Sequence, residues 1–434
     1  MPRFLNFDLA IASEGKSYTV QVRDAFGVGD LKETFIPPFD LAVLPAKRHD
    51  AAQWIDLARI SKLKSVSQEI LQAREFGTEL FKRLFVGEIS AAFRESRAKL
   101  QDNEHLCLRL HLPPLLAMLP WELLYDQTRS QFLALAPDLA LVRYPELSSP
   151  IGRLSVDEPL HLVVILASPI SEDYRPLNIE RELRRIEQAV KELREQGRII
   201  LDVISGPSTL DQLRGRLSQP VHILHVLCHG DLDTQRGEGE LIFEDYDSTA
   251  ERINAVLFRQ YLSRQRGQTK VVFLNACLSA LSVDRDPLSS VGVALIDAGV
   301  SAVIAMQFEL PEDAAAELTR VFYAELAMGK PIEQSLALAR QHLSARYPSR
   351  LDWAIPVLFL RADDGVLFQA TGSEIKPSSS IRPQRQSFEL SRESVDQATI
   401  ETIQVEALIA FRSKDWPRTD VVVISGNGRH ARSK

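Results

Sequence analysis

The sequence predicts an α/β fold in which a mainly parallel sheet carries helices on both faces, preceded by an α+β region at the N-terminus. From Leu160 onward, apolar runs of strand length alternate with stretches of helical period, which is the βαβα order of a doubly wound sheet. Before that point, strand-like alternation and a long helical pattern occur together. Crossovers between the parallel strands are expected to be right-handed.

The N-terminal 150 residues combine strand and helix signals. Residues 4–22 alternate apolar and polar side chains, as a β-hairpin does. Residues 60–100 place apolar side chains near helical spacing with charges between them. Cys107–Leu112 alternates strictly and is predicted to be a strand, and a second strand is predicted at residues 139–143. The polar, Pro-containing segment 148–158 indicates a boundary.

The second part of the chain is predicted to alternate strands with helices. The predicted strands are 160–168, 199–204, 221–229, 271–277, 302–306 and 357–360. The predicted helices are 179–193, 209–217, 254–264, 289–298, 312–328 and 332–345. Gly197 is expected to end the first of these helices, and Ser208 or Thr209 to cap the second.

Composition favours an ordinary globular protein with a core of good size. The 434 residues are 45% hydrophobic and 25% charged, with a net charge of −7 and a pI of about 5.8. This mildly acidic balance gives no electrostatic reason to expect nucleic acid or an anionic membrane as a partner. The longest apolar runs are shorter than the roughly 20 residues of a membrane span. Few cysteines, and an N-terminus without a signal-peptide pattern, favour the cytoplasm.

We expect four parts along the chain. Residues 1–150 form the α+β region, which is part of the following module or packs on it, and residues 151–372 form the α/β domain. Residues 373–400, rich in Ser, Pro and basic side chains, are interpreted as a flexible linker. Residues 401–434 form a small C-terminal segment, which is short for an independent fold.

His229 and Cys277 are the most informative pair in the chain. His229 follows the apolar run 221–228, and Cys277 follows the apolar run 271–276. Each run is predicted to be a buried strand, and strand ends are where an open α/β sheet presents its chemistry. A thiol is nucleophilic as its thiolate, and a neighbouring imidazole can take the proton. If the two strands are parallel neighbours, these residues form a nucleophile and its base.

Gly230 directly follows His229, leaves the backbone free to turn and leaves its N–H available to a substrate oxygen. We therefore predict that the backbone N–H groups of Gly230 and Cys277 form an oxyanion hole. The other two cysteines, Cys107 and Cys228, are interpreted as buried, inert thiols. Cys228 is expected to point to the face of its strand opposite to that of His229.

Three histidines, at 222, 225 and 229, raise the question of a metal site. On a helix their spacing would cluster them, but the run after Pro220 is typical of a strand, where His222 and His225 face opposite sides. His225 and His229 share a face but lie about 13 Å apart, at roughly 3.3 Å per residue. The sequence therefore predicts no metal site. It contains no P-loop, GxGxxG or HExxH motif, so no cofactor is predicted either.

A series of motifs occurs in order between residues 75 and 362. They are LPWELLYD at 119–126, HVLCHG at 225–230, GELIFE at 239–244, LNAC at 274–277, residues 291–307 with DAG at 297–299, FYAEL at 322–326 followed by Gly329, and SLALAR at 335–340. In this order they resemble the CHAT-domain proteins, a bacterial branch of the caspase, separase and metacaspase clan of cysteine peptidases.

The resemblance implies a caspase-like fold and a His–Cys dyad, which falls on His229 and Cys277. Their separation is close to the roughly 50 residues of caspases. Two positions depart from the family pattern. Ala280 stands three residues after the cysteine, and Cys228 stands before the histidine, where the family often has Gly. Both replacements are small residues.

Asn275 occupies the position at which metacaspase-like relatives carry an Asp of the pocket for basic side chains. A neutral amide has no net attraction for Arg or Lys, so we predict a weaker preference for basic residues at the cleaved bond. Acidic residues of the flanking segments are the further candidates for the substrate pocket, and each has the simpler interpretation of a solvated loop charge. They are Asp231, Glu244, Asp245, Asp284 and Asp286.

The resemblance implies a cysteine endopeptidase that cleaves a protein partner in a bacterial regulatory or defence system. Its activation is expected to depend on a separate sensor protein, with the N-terminal 150 residues or the C-terminal tail as the alternatives. The polar segment 231–239 resembles a loop that rearranges or is cut on activation. A catalytically silent scaffold or protein-binding module is the alternative, and a nucleotide-dependent α/β enzyme ranks last. Residues 374–434 could dock a partner or occupy the site as an inhibitor.

Overall fold

The computed structural model describes residues 3–370 with the following exceptions: 15–16, 26–29, 41–42, 61–67, 146–153, 157–158, 234, 236–237, 264–267, 279–286 and 363–364. Within the chain, Met1–Ser373 forms one compact unit and Glu374–Lys434 a second. The second unit, with the expected linker 373–400 and segment 401–434, lies outside the described residues.

Strands and helices alternate through the described part of the chain. The strands are β1 Arg3–Glu14, β2 Ser17–Ala25, β3 Leu31–Phe35, β4 Glu104–His111, β5 Tyr125–Asp126, β6 Gln131–Phe132, β7 Leu139–Arg143, β8 Leu154–Val156, β9 Leu160–Leu166, β10 Ile199–Ser205, β11 Ile223–Asp233, β12 Glu238–Glu244, β13 Ala250–Asn254, β14 Val271–Leu278, β15 Ala302–Met306, β16 Pro356–Leu360 and β17 Phe368–Ala370. The helices are α1 Leu44–Ile60, α2 Gln68–Leu84, α3 Gly87–Ala98, α4 Pro114–Ala117, α5 Ile179–Glu195, α6 Leu210–Arg216, α7 Ala255–Ser263, α8 Pro287–Asp297, α9 Glu312–Ala327 and α10 Ile332–Arg346.

One large sheet organises these elements, in the order β10-β9-β11-β14-β15-β16-β7-β4-β1-β2-β3, with β12 paired to β11 and β13 paired to β12. The run from β10 to β15 is parallel throughout. Within this order β16 runs antiparallel to β15, and β2 and β3 form antiparallel pairs at the far edge. The predicted α/β class with a mainly parallel sheet and an α+β N-terminal region is confirmed.

Helices cover both faces of the sheet because its strands are apolar on both sides. Along β14, Val271 and Phe273 pack in the core on one face, whereas Val272 and Leu274 pack in the core on the other. The first core takes the buried residues of α5, α9 and α10, and the second takes those of α6, α7 and α8. The predicted helices on both faces are therefore present.

The sheet runs without a break from the N-terminal region into the α/β region. Residue Phe359 of β16 is the register partner of Arg143 of β7, and β7 continues to β4 and β1. The segment 148–158, interpreted as a boundary, therefore joins two sets of strands that belong to one sheet. This arrangement favours the proposal that residues 1–150 are part of the same module.

A buried ion pair reinforces the connection between the two parts. Arg143 donates from Nη2 to Glu122 Oε2 at 2.7 Å, and the two side chains are 3% and 1% exposed. Gln307, directly after β15, donates to the same carboxylate oxygen at 2.9 Å. Burial lowers the pKa of Arg340, on α10, to about 10, and the negative charge of Glu122 opposes this effect. The Glu of the LPWELLYD motif is thus the counter-charge of a buried cluster.

The sequence prediction misses helix α1 and differs from the structure at the segment 231–239. Helix α1 was not predicted, because its 17 residues carry polar and charged side chains with little apolar periodicity. The sequence predicts a polar loop at residues 231–239, whereas β11 continues to Asp233 and pairs with β12. Asp231 is the register partner of Glu240 in this pairing. Backbone hydrogen bonds between the two strands hold the segment as a strand although its side chains are polar.

Candidate active site

His229 and Cys277 are direct register partners on β11 and β14, which are parallel neighbours in the sheet. Neighbouring strands lie about 4.8 Å apart, so the two backbones approach to within that range. The two predicted strands and their predicted adjacency are confirmed. The structure describes the backbone of Cys277, and the side chain of Cys277 lies outside the described residues. Because alternate positions of a strand belong to the same face, position 277 falls on the face of β14 to which position 273 belongs.

His229 is buried, and two contacts fix its ring. Its Nε2 lies 2.7 Å from the backbone carbonyl oxygen of Arg175, and its ring stacks on Tyr174 with centroids 5.3 Å apart and planes 25° from parallel. A carbonyl can only accept, so Nε2 carries the proton. The lone pair is consequently on Nδ1. Burial lowers the pKa of His229, partly offset by the bond to Arg175, and the imidazole is therefore neutral at pH 7.

Polar groups of three elements surround the stacked pair. Tyr174 donates its hydroxyl to Asp231 Oδ2 at 2.6 Å. Arg252 of β13 contacts the same oxygen through Nη2 at 2.8 Å and Glu240 through Nη1 at 2.9 Å. Burial acts to raise the pKa of Asp231, but bonds from Tyr174, the backbone of Leu232 and Arg252 outweigh it and keep that carboxyl ionised. Arg252 on β13 is thus connected through Asp231 to Tyr174, whose ring stacks on the imidazole of His229.

Gly230 continues β11 rather than turning the chain. Its register partners are Leu241 on β12 and Leu278 on β14. The backbone does not use this freedom to turn after His229, because the strand extends to Asp233 through its pairing with β12. The assignment of the Gly230 and Cys277 N–H groups to an oxyanion hole stays a prediction.

The pocket candidates occupy different environments. Asn275 is buried on β14, two residues before Cys277 and opposite Leu227. Asp231 lies two residues after His229 with its charge paired to Arg252. The structure therefore brings Asn275 and Asp231 close to the dyad along the two strands. Residues 284 and 286, both Asp, lie outside the described residues.

Glu244 binds backbone groups rather than lining an open pocket. Its two carboxylate oxygens accept from the N–H groups of Ser168 at 2.7 Å and Ser208 at 2.9 Å. Asp245, beside it, accepts from the backbone N–H groups of Asp247 at 2.9 Å and Thr249 at 2.8 Å. Because Ser168 begins the segment that carries Tyr174 and Arg175, Glu244 anchors the base of that segment. The contacts of Glu244 and Asp245 therefore do not support a role for either residue in the substrate pocket.

Two further histidines, one directly before β11 and one within it, bond within the protein. His222 accepts through Nδ1 from the backbone N–H of His161 at 2.9 Å. His225 Nδ1 lies 2.9 Å from the hydroxyl of Tyr323. In the part of the chain that the structure describes, no group of three or more His, Cys, Asp or Glu side chains could hold a metal ion. Cys228, like Cys107, is a buried thiol.

The sequence did not indicate the partners of His229. Arg175 acts through its carbonyl oxygen, which every residue type supplies, so no pattern could mark it. Tyr174 did leave a signal, since it is an aromatic residue in the otherwise polar segment 171–176. Arg252 lies on a strand that the sequence did not predict.

His225 is expected to make the stability of the fold depend on pH. Burial lowers its pKa to about 3, against about 6.5 in the unfolded chain. Between these values the unfolded chain binds a proton that the folded chain does not. The free energy of unfolding contributed by His225 is therefore fully present above pH 6.5 and decreases by about 1.4 kcal/mol per unit as the pH falls.

The variant His225→Gln should lose this part of the slope between pH 6 and pH 4, measured by urea unfolding at several pH values. The exposed His49, replaced by Gln, is the matched control and should keep the wild-type slope. Equal slopes for wild type and His225→Gln would contradict the buried, neutral state of His225.

The fold and the site together define an α/β protein with a His and a Cys opposed on adjacent parallel strands. The model of the CHAT domain family matches residues 74–406. The chain therefore belongs to the CHAT domain family, and the resemblance found in the motifs is confirmed. No curated protein sequence matches the chain. Within the described residues, no helix has the length and apolar character needed to cross a membrane.

Solved structures of three cysteine-peptidase types are similar to the chain. A chain of the Saccharomyces cerevisiae separase–securin complex shares 13% identity over 63% of this chain and 16% of that chain, with a TM-score of 0.34. The Arg-specific cysteine proteinase gingipain R shares 12% identity over 74% of this chain and 76% of that chain, at 0.37. The Drosophila initiator caspase Dronc shares 11% identity over 44% and 75%, at 0.29. With TM-scores this low, the assignment rests on the family model.

Proposed function

We propose that the protein is a cysteine endopeptidase in which Cys277 is the nucleophile and His229 the general base. The register pairing of the two residues on adjacent parallel strands is the observation that supports this most strongly. The bond from Nε2 to Arg175 adds to it, because it leaves a neutral imidazole with a free Nδ1 lone pair. A base that is neutral at pH 7 can accept the thiol proton.

In the proposed reaction, Nδ1 of His229 takes the proton from the thiol as sulfur attacks the scissile carbonyl carbon. The carbonyl oxygen becomes an oxyanion, for which the N–H groups of Gly230 and Cys277 are the proposed donors. The C–N bond then breaks, and the imidazolium gives its proton to the leaving amine. Water, deprotonated by the same imidazole, then attacks the thioester carbonyl carbon. The C–S bond breaks, the acid product leaves, and the imidazolium returns its proton to the thiolate of Cys277.

The proposed substrate is a protein partner, and the proposed setting is a bacterial regulatory or defence system with a separate sensor. Membership of the CHAT domain family supports both proposals. Asn275, a neutral residue buried beside the dyad, supports a weak preference for basic residues at the cleaved bond. Asp231 and Glu240 are paired with Arg252, and Glu244 accepts from backbone N–H groups. These three carboxylates are therefore not expected to restore a preference for basic residues.

N-terminal mapping of cleavage products tests the function. Wild-type protein and Cys277→Ala are each incubated with candidate partner proteins, and new N-termini are identified by mass spectrometry. We expect new termini with wild type and none with Cys277→Ala. The variant Cys228→Ala, which removes a buried thiol on the neighbouring strand, is the matched control and should cleave like wild type. Identical patterns for wild type and Cys277→Ala would instead support the silent scaffold.

A further inference from the structure

The ring of His229 is oriented by a single short segment of the chain. Arg175 supplies the carbonyl oxygen that accepts from Nε2, and the preceding residue, Tyr174, supplies the ring that stacks on the imidazole. Both belong to the connection between β9 and α5, in which Arg175 itself is exposed. The tautomer and the direction of Nδ1 therefore depend on contacts from the same connection.

One contact ties this connection to the strand that carries His229. The hydroxyl of Tyr174 donates to Asp231 Oδ2 at 2.6 Å, and Asp231 lies two residues after His229 on β11. The hydroxyl and the ring of Tyr174 thus bind the same strand at two points. The backbone N–H of Leu232 donates to the other oxygen, Asp231 Oδ1, at 2.8 Å, which limits rotation of the carboxylate.

Arg252 completes the arrangement from a different element. Its guanidinium bridges Asp231 on β11 and Glu240 on β12, with contacts of 2.8 and 2.9 Å, and its Cζ lies 6.0 Å from the centroid of the Tyr174 ring. A planar guanidinium that binds two carboxylates fixes both of them in direction. Among the described side chains, Asp231, Arg252 and Asp173 act electrostatically on Tyr174, which stacks on His229, and Glu240 binds Arg252.

We propose that Tyr174, Asp231 and Arg252 are positioning residues that hold His229 with its Nδ1 lone pair directed for proton transfer, so that the β12–β13 hairpin, which carries Arg252, controls the base. This inference rests on the proposed function. None of the three side chains takes part in bond formation. Each acts through the next, from Arg252 to Asp231, to the hydroxyl of Tyr174 and to the imidazole.

The test is the alkylation of Cys277 by iodoacetamide, in which the thiolate sulfur displaces iodide, so no peptide substrate is needed. The rate is measured from pH 5 to pH 9 in the full chain, and the modified cysteine is located by mass spectrometry, apart from the buried Cys107 and Cys228. The variants are Tyr174→Phe, which keeps the ring, Asp231→Asn, Arg252→Ala and Arg252→Lys, with His229→Ala as the reference for loss of the base.

We expect Tyr174→Phe and Asp231→Asn to lower the alkylation rate at pH 7 by about 10-fold or more and to shift the pH profile toward that of His229→Ala. Arg252→Lys should recover part of the rate that Arg252→Ala loses. Melting temperatures are recorded in parallel, because a merely structural role would lower the melting temperature without moving the pH profile of Cys277.

Tyr246 provides the matched control, since its hydroxyl donates to Asp211 Oδ2 at the same 2.6 Å on an exposed surface. The variant Tyr246→Phe should keep the wild-type profile within about twofold. If His229→Ala changes the profile and Tyr174→Phe and Asp231→Asn do not, the positioning role is overturned while the dyad stands. If His229→Ala itself leaves the profile unchanged, the proposed function fails.

Discussion

Replacing His229 by alanine is expected to lower the rate of peptide cleavage at pH 7 by roughly 10²- to 10⁴-fold, because the thiol of Cys277 loses the base that takes its proton. The quantity to measure is kcat/KM on a peptide that spans a mapped cleavage site. The two residues act as one unit, so the double variant His229→Ala/Cys277→Ala should be no slower than Cys277→Ala alone. Raising the pH should restore part of the rate of His229→Ala, since hydroxide then forms the thiolate.

His222 is a suitable control because it is a second buried histidine next to the same strand. Its Nδ1 accepts from the N–H of His161, a role that the side-chain oxygen of Asn can take over. The variant His222→Asn should therefore keep the wild-type kcat/KM. A His229→Ala variant that retains most of the wild-type rate would show that another group deprotonates Cys277.

Replacing Glu122 by alanine is expected to lower the free energy of unfolding by about 3–5 kcal/mol, since it leaves buried positive charge without its counter-charge. Arg143 is 3% exposed and bonds to both carboxylate oxygens of Glu122. Gln307 loses one of the two acceptors of its amide nitrogen as well and keeps the carbonyl oxygen of Ala354. Arg340, whose charge Glu122 also offsets, is destabilised by the same change.

Urea unfolding of Glu122→Ala and of a matched surface variant measures this effect. Arg259 pairs with Asp297 at the surface, where both side chains are about two-fifths exposed. Exposed pairs contribute about 0–1 kcal/mol, so Arg259→Ala should change the stability little. Equal losses for Glu122→Ala and Arg259→Ala would mean that the buried cluster does not depend on its carboxylate.

The features that the sequence predicted are those that depend on neighbouring residues along the chain. The strands that carry His229 and Cys277 are apolar on both faces, and such runs identify buried strands wherever they occur. Helix α5 was located by its apolar face, and Thr209 caps α6 by accepting from Gln212, as its side chain predicts. These are local effects of periodicity and of capping.

The features that the sequence missed depend on contacts between distant segments. Arg252 reaches Asp231 only because β13 pairs with β12, and β12 with β11. The partner of Nε2 is a backbone carbonyl, which carries no sequence signal. Likewise, the pairing of β7 with β16 joins residues 143 and 359, and periodicity within either strand cannot reveal its neighbour.

The meeting of β7 and β16 also bears on how the chain unfolds. A sheet divided between these strands would present two unpaired edges, and an unpaired edge is a template for association with other chains. Each set of strands thus protects the other from aggregation. We expect one cooperative transition across the sheet, so a single free energy of unfolding describes both sides of residue 150.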